Sequence, residues 1–183
     1  MGRNKALLPV GDRTLVEVVA ARVRQACGEA PILVTGSAEP YARTGLRCVP
    51  DVLPPGHPLV GVYSGLLHVS GLAFICACDM PYLNPALIRH MASLADRVDV
   101  VIPRLGGEYE PLHAVYTPAC LGAIERCIAR GDRTSGLLAS VRARVVEEEV
   151  VRRFDPALRS FVNVNTPEEY ALLLERCAAG EPP

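Results

Sequence analysis

Asp79 ends an apolar run, Leu72 to Cys78, and is followed at once by Met80 and Pro81. The chain must turn there, and a carboxylate at the end of a buried element is aimed at whatever lies beyond it. One such carboxylate is enough to hold magnesium, because substrate phosphates and water complete the octahedron. The competing reading is a turn former, a role Asp often fills. Lys5, in the polar lead-in before Ala6, Leu7 and Leu8, is by itself a surface lysine, and Asp51, inside a Pro- and Gly-rich loop, is by itself a turn residue. Gly56 and Gly61 could admit a close backbone approach to a ligand, which glycine spacing alone signals weakly. Asn163 and Asn165 would share one face of a strand, either as two amides directed into the same space or as an edge turn supporting the final helix. His57 and His113 have no acid–base partner nearby in sequence and read as structural. The acidic run Glu147–Glu149 reads as a solvated face.

The elements that must position these residues alternate along the chain. Thr14 and Glu17 form a capping box ahead of Leu15, Val18, Val19, Val23 and Ala26 at helical spacing, which predicts a helix over 14–26. Further helices are predicted over 59–69, 84–95, 118–130, 134–141 and 168–178. Asn84 with Pro85, and Thr166 with Pro167 and Glu169, mark two of the starts. Short apolar or β-branched runs predict strands over 32–34, 48–50, 72–78, 98–102, 110–116 and 145–151. Gly180 to Pro183 reads as a frayed tail. Such alternation specifies an α/β fold with a mostly parallel sheet and helices on both faces, whose ligands bind beyond the carboxyl ends of the strands.

Composition narrows the function classes. The chain has 183 residues, 50% hydrophobic, with 19 basic against 20 acidic side chains, no tryptophan and 5% aromatics. One domain is expected at that length. The net charge of −1 lacks the basic excess of a duplex binder, and no aromatic platform for single-stranded nucleic acid is evident. No apolar run approaches the ~20 residues of a membrane span, so a cytoplasmic protein is expected. The seven cysteines include no CxxC pair; Cys76 and Cys78 read as small buried hydrophobes on one strand face.

The segments MGRNKALLPVG, DVLPPGHPLVGVYSGL, FICACDMPYL, EPLHAVY and NVNTPEEY, in this order and spacing, cover essentially the whole chain. Together they resemble the molybdenum cofactor guanylyltransferase family, the enzymes of molybdopterin guanine dinucleotide synthesis. That resemblance implies a single Rossmann-like, doubly wound domain over 1–183 that uses GTP, Mg2+ and molybdenum-loaded molybdopterin. It also implies partners among the other cofactor biosynthesis proteins and the acceptor molybdoenzymes. By motif position, Lys5 matches a lysine on the nucleotide phosphates, Asp51 an aspartate on the nucleoside side and Asp79 the magnesium ligand. Asn163 and Asn165 match amides on the pterin side. Thr35 stands where the family often has Asn against the nucleotide, and His57 replaces the first Gly of a Gly-Pro-Leu-x-Gly segment. A cytidylyltransferase, a sugar-phosphate nucleotidyltransferase or a non-catalytic module that binds a nucleotide or a partner are the alternatives.

The family opens with a strand and the loop LAGGxSxRMGxxK, of which this chain carries only Met1, Gly2 and Lys5. A sheet lacking that strand would leave two rows of backbone donors and acceptors unpaired, at about 1–3 kcal/mol for each buried group. The expectation is therefore that the working protein begins upstream and that Met1 is an internal methionine; a truncated paralogue is the rival.

Overall fold

The computed structural model describes residues 4–181, so Met1 and Gly2 of the opening motif lie outside the described residues. A single 3-10 turn, Lys5–Leu7, leads into a hairpin of β1 (Pro9–Val10) and β2 (Arg13–Thr14) and then α1 (Leu15–Cys27). The capping box forms as its residues dictate: the Glu17 carboxylate accepts from the Thr14 amide (2.7 Å) and hydroxyl (2.6 Å). Gly28 ends the helix in the left-handed region at φ 82°, where a side chain would be strained. Next come β3 (Ile32–Val34), β4 (Arg47–Val49), α2 (Leu59–Leu66) and β5 (Ala73–Cys76). α3 (Pro85–Ser93) starts at Asn84, whose side-chain oxygen accepts from the Ala86 and Leu87 amides.

The second half contains β6 (Val100–Leu105), β7 (Glu108–Tyr109), β8 (His113–Tyr116), α4 (Leu121–Arg130), α5 (Thr134–Leu138), β9 (Ala143–Glu147), α6 (Glu148–Phe154) and α7 (Pro167–Ala178). β8 pairs antiparallel with both β5 and β6, while β9 pairs parallel with β6. β5, β6 and β9 therefore point one way and β8 the other, making the sheet mixed. The short link from β6 to β8 explains the reversal. It turns through Gly106 and Gly107, at φ 55° and 90°, into β7, and is too short for the crossover that a parallel neighbour needs.

Side chains alternate across this sheet at the strand period of two. Val100, Ile102, Ala114 and Tyr116 pack with Leu59, Val62 and Leu66 of α2, Ile124 and Cys127 of α4 and Leu137 of α5. Val101, Val115 and Val146 face the other way, onto Leu87 and Met91 of α3 and Val151 of α6. Both faces are covered by helices, as a doubly wound α/β fold requires.

β3 and β4 form a parallel pair of their own, and no backbone ladder among the described residues joins β3 to β5. The same two helices nonetheless straddle both sheets. On one face, α1 places Val16 with Leu33 and Cys48, and Val19 and Val23 with Phe74 and Cys76. On the other, Gly65 of α2 lies against both Val34 and Ile75. Every residue of β3 and β5 is only half-buried, whereas all four residues of β8 are buried.

Four expectations need correction. The strand over 72–78 stops at Cys76, which leaves Cys78 exposed in the turn beyond it. The strand over 145–151 ends at Glu147, and the acidic run, with Glu147 and Glu149 exposed as a solvated face requires, leads into α6. Glu148 and Glu149 occupy the first turn and Arg152 and Arg153 the last, an arrangement the helix dipole favours. Asn163 and Asn165 are on no strand: the chain from the turn Arg159–Phe161 to α7 is irregular. Of the tail over 180–183, Pro182 and Pro183 lie outside the described residues, whereas Glu181 is tied down: its amide donates to the Arg176 carbonyl (3.0 Å) and its carboxylate pairs with Arg159.

Candidate active site

Asp79 stands in the turn after β5, held by its main chain. Its carbonyl accepts from the Val164 amide (2.9 Å), and Val164 is itself packed against Val10, Leu15 and Leu173. The side chain is half-buried, and burial pushes its carboxyl above the usual range. Its own amide and the Lys5 ammonium pull the other way, while the Glu169 carboxylate adds to the rise. An anion that costs solvation and has one nearby ammonium is a poor structural cap and a good seat for a cation.

Lys5 reaches the same place from the other end of the chain. Its ammonium donates to the Asn165 side-chain oxygen at 3.0 Å, across 160 residues of sequence. The turn that carries Lys5 is fixed by Asn4, whose Oδ1 accepts from the Ala6 amide (3.2 Å) and whose Nδ2 donates to the Tyr41 hydroxyl (3.0 Å). Asn165 is held in turn by Glu169, whose carboxylate accepts from the Asn165 (2.7 Å) and Thr166 (2.9 Å) amides. Those two amides, in that order, hold the Glu169 carboxyl below the usual range. Asn163 lies two residues away with its Oδ1 buried and without a partner. The two asparagines thus have different surroundings, contrary to the shared face expected of a strand.

Thr35 and Asp51 follow the carboxyl ends of β3 and β4. The Thr35 amide donates to the Val49 carbonyl (2.9 Å), extending that pairing by one bond. Its hydroxyl donates to the Ser37 carbonyl (3.1 Å). Asp51 is exposed, and the next amide, Val52, donates to the fully buried Ser64 hydroxyl (3.1 Å). Since Val34 and Ile75 meet the same residue of α2, the ends of β3 and β5 reach one level, with Thr35 and Asp79 beyond them. Among the described residues no hydrogen bond or ion pair joins Thr35 or Asp51 to the group of Lys5, Asp79 and Asn165.

Residues 1–145 match the family model of the MobA-like NTP transferase domain. A probable molybdenum cofactor guanylyltransferase of Pelotomaculum thermopropionicum is 37% identical over 175 residues, covering 92% of this chain and 83% of that protein. The chain belongs to the MobA-like NTP transferase family. A molybdenum cofactor guanylyltransferase of Desulfosudis oleivorans is 34% identical over 92% of this chain and 84% of its own length. The crystal structure of molybdopterin-guanine dinucleotide biosynthesis protein A from Archaeoglobus fulgidus superposes with a TM-score of 0.79 at 24% identity, covering 97% of this chain and 92% of that one. That likeness bears on the fold, and it agrees with the α/β architecture described above.

In this MobA-like nucleotidyltransferase the described residues contain no cluster of three or more His, Cys, Asp or Glu that could hold a metal alone. The donor set nevertheless fits a magnesium ion shared with substrate. Asp79 supplies a hard carboxylate oxygen whose charge is incompletely compensated, and magnesium takes one or two carboxylates plus phosphates and water. No helix among the described residues is long and apolar enough to cross a membrane.

Two contributors were not legible as parts of the site. Glu169 is visible in the sequence as the third residue of a helix start, but its proximity to Asp79 and its grip on Asn165 emerge only when α7 docks. His57 accepts the Leu59 amide at Nδ1 (3.1 Å) and makes a 2.8 Å contact from Nε2 to the Asp132 carbonyl. These partners place the proton on Nε2 and clamp the Asp51–Pro58 loop to the turn between α4 and α5. His113 is structural as expected: fully buried, with no partner for either ring nitrogen, beside Phe74 and Phe161.

Proposed function

We propose that this nucleotidyltransferase transfers GMP from GTP to molybdenum-loaded molybdopterin, in the cytosol and in contact with other proteins of cofactor synthesis. The observation that carries the reading is the convergence of Lys5, Asn165 and the half-buried Asp79 carboxylate beyond the end of β5. A terminal phosphate oxygen of the pterin attacks the α-phosphorus of GTP; the bond to the β-phosphate breaks, and pyrophosphate leaves. The attacking phosphate monoester has a second pKa near ~6 and is largely a dianion at neutral pH, so no protein base has to remove a proton. The protein's task is to align two anions and offset their repulsion.

Each residue has a part in that task. Asp79 would hold Mg2+, which when bound supplies positive charge for the phosphates. Lys5 adds a second positive group and is kept in place by Asn165. Thr35 and Asp51, at the ends of β3 and β4, face the nucleoside, with His57 bracing the Asp51 loop. The unpartnered Asn163 oxygen is an acceptor for a donor on the pterin ring.

The test is pyrophosphate release by the protein with molybdenum-loaded molybdopterin, magnesium and either GTP or CTP. Release with GTP, at least ~100-fold faster than with CTP, is the expected result; a preference for CTP would reassign the enzyme to cytidylyl transfer. No magnesium-dependent release with either nucleotide would overturn the catalytic reading.

A further inference from the structure

The segment EPLHAVY, Glu110 to Tyr116, leads into β8 yet supplies no residue to the site described above. Its first residue carries a carboxylate without a counterpart. Glu110 is half-buried, and among the described residues its side chain makes no hydrogen bond and no ion pair. Asp99 and Asp155, carboxylates also screened from water, both have donors, in the Arg142 guanidinium and the Ser160 amide. Burial, and then the Glu108 carboxylate, push the Glu110 carboxyl above the usual range. Its anion thus lacks donors that water supplied to the unfolded chain.

The main chain holds Glu110 firmly. Its amide donates to the Pro103 carbonyl (3.0 Å), its carbonyl accepts from the His113 amide (3.1 Å), and the Pro111 carbonyl accepts from the Tyr116 hydroxyl (2.9 Å). The turn stands at the ligand end of the sheet. Cys76 of β5 pairs with His113 of β8, and one residue further on the Ala77 amide donates to the Leu112 carbonyl (3.2 Å). Glu110, two residues before Leu112, and Asp79, two residues after Ala77, therefore leave the sheet at the same edge, beyond the carboxyl end of β5. Their charges are nevertheless separate. Lys5 and Glu169 are the charges that act on Asp79, whereas Glu108 is the one that acts on Glu110. Glu110 is thus set apart from the seat of the cation and the phosphates, and a lone anion suits a neutral group that presents hydrogen-bond donors.

We propose that Glu110 is a specificity residue that binds the 2-amino-lactam edge of a substrate ring, its two oxygens accepting from a ring N–H and the amino group beside it. This role rests on the guanylyl-transfer reading, in which both substrates carry that edge, one on guanine and one on the pterin. Cytosine does not carry it. Next to its single amino group stand ring N3 and then O2, two acceptors that a carboxylate repels. Hydrogen bonds to an ionised acceptor are the strong ones, and here no internal partner has to be given up to form them. A ring that lacks a donor leaves the carboxylate unpaired, which is how such a site rejects an analogue.

Calorimetric titration of the full chain with magnesium and one ligand at a time tests the proposal without turnover. The ligands are GTP, inosine triphosphate, which lacks the 2-amino group, and molybdenum-loaded molybdopterin. If guanine is the ring held, the parent prefers GTP to inosine triphosphate by about tenfold or more, and Glu110→Gln removes the preference by weakening GTP alone. If the pterin is the ring held, Glu110→Gln weakens the pterin by a similar factor and leaves both nucleotides unchanged. Glu110→Asp, which keeps the acceptors but draws them back by one methylene, gives a smaller loss of the same kind and carries the test if Glu110→Gln fails to fold. Equal weakening of all three ligands would reduce Glu110 to a support of its turn and overturn the proposal. So would three affinities unchanged in both variants, or a parent that binds none of the ligands. Pyrophosphate release by the parent keeps the two readings apart. A parent that binds GTP and releases nothing fails the catalytic reading and leaves the ring assignment standing; an active parent whose Glu110 variants bind as it does fails the ring assignment alone.

Discussion

Replacing Asp79 by Asn separates chemistry from architecture. The substitution keeps the shape of the side chain and removes one unit of charge. The residue is fastened through its carbonyl to the Val164 amide, a bond that the change leaves in place. Because burial raises the Asp79 carboxyl, the charged form is disfavoured in the folded state, and at neutral pH it opposes folding. The variant is therefore expected to unfold at the same temperature as the parent or slightly above it. A change within ~0.5 kcal/mol corresponds to about 1–2 °C in a domain of this size. The sign has a pH signature: any gain is present at neutral pH and vanishes as the parent's own carboxyl becomes protonated in both states. Activity should move the other way. Removing one preorganised electrostatic partner of a developing charge costs about 10²–10³-fold in turnover, and the full charge that we propose as the metal's anchor is worth at least that. Magnesium-dependent pyrophosphate release and thermal unfolding, measured on one preparation, give both numbers. A variant that retains turnover but melts several degrees lower would show that Asp79 is a turn former, and the catalytic reasoning would fail with it.

Lys5→Met and Asn165→Ala should each raise the nucleotide KM about tenfold with little effect on stability, and the double variant should cost no more than either alone, since both break the same 3.0 Å contact. Additive losses in steady-state kinetics would disconnect the two residues. Ile124→Ala, at a fully buried position between α4 and the sheet, should destabilise by about 2–5 kcal/mol in urea unfolding at unchanged m. Burial drives the His113 pKa down from 6.5 to about 3, so the unfolded chain takes up a proton that the folded one refuses, and stability falls as pH drops below 6.5. At pH 5 that loss is roughly 2 kcal/mol, and His113→Phe should abolish it; an unaltered acid slope in denaturant titrations would exclude this origin.

Most elements could be read directly because local chemistry and tertiary structure agree at their starts. The pairs Thr14 with Glu17 and Thr166 with Glu169, and the Asn84-Pro85 step, place three helix starts to within a residue. The failures lie where local pattern and packing diverge. Val145 to Val151 carries enough β-branched residues to read as one strand, yet the charge order from Glu148 to Arg153 favours a helix after Glu147. The hairpin of β6 and β7 was hidden in two glycines, whose positive φ no hydrophobic period reveals. Asp79 was legible as a candidate because an apolar run stops just before it. Lys5 and Asn165 were legible only through the family motifs that carry them, and Glu169 only as a helix-start residue; no periodicity reports a meeting of such distant stretches, which only the docking of α7 brings about.

That meeting has a bearing on when the enzyme becomes competent. The Lys5 to Asn165 contact spans 160 residues, so a ribosome must have passed Asn165 before the proposed rim of the site exists. A nascent chain emerging up to α6 can bury both faces of its sheet while Asp79 and Lys5 still lack their final neighbours. On the proposed reading, a chain that stops short of Asn165 has no assembled centre with which to spend nucleotide.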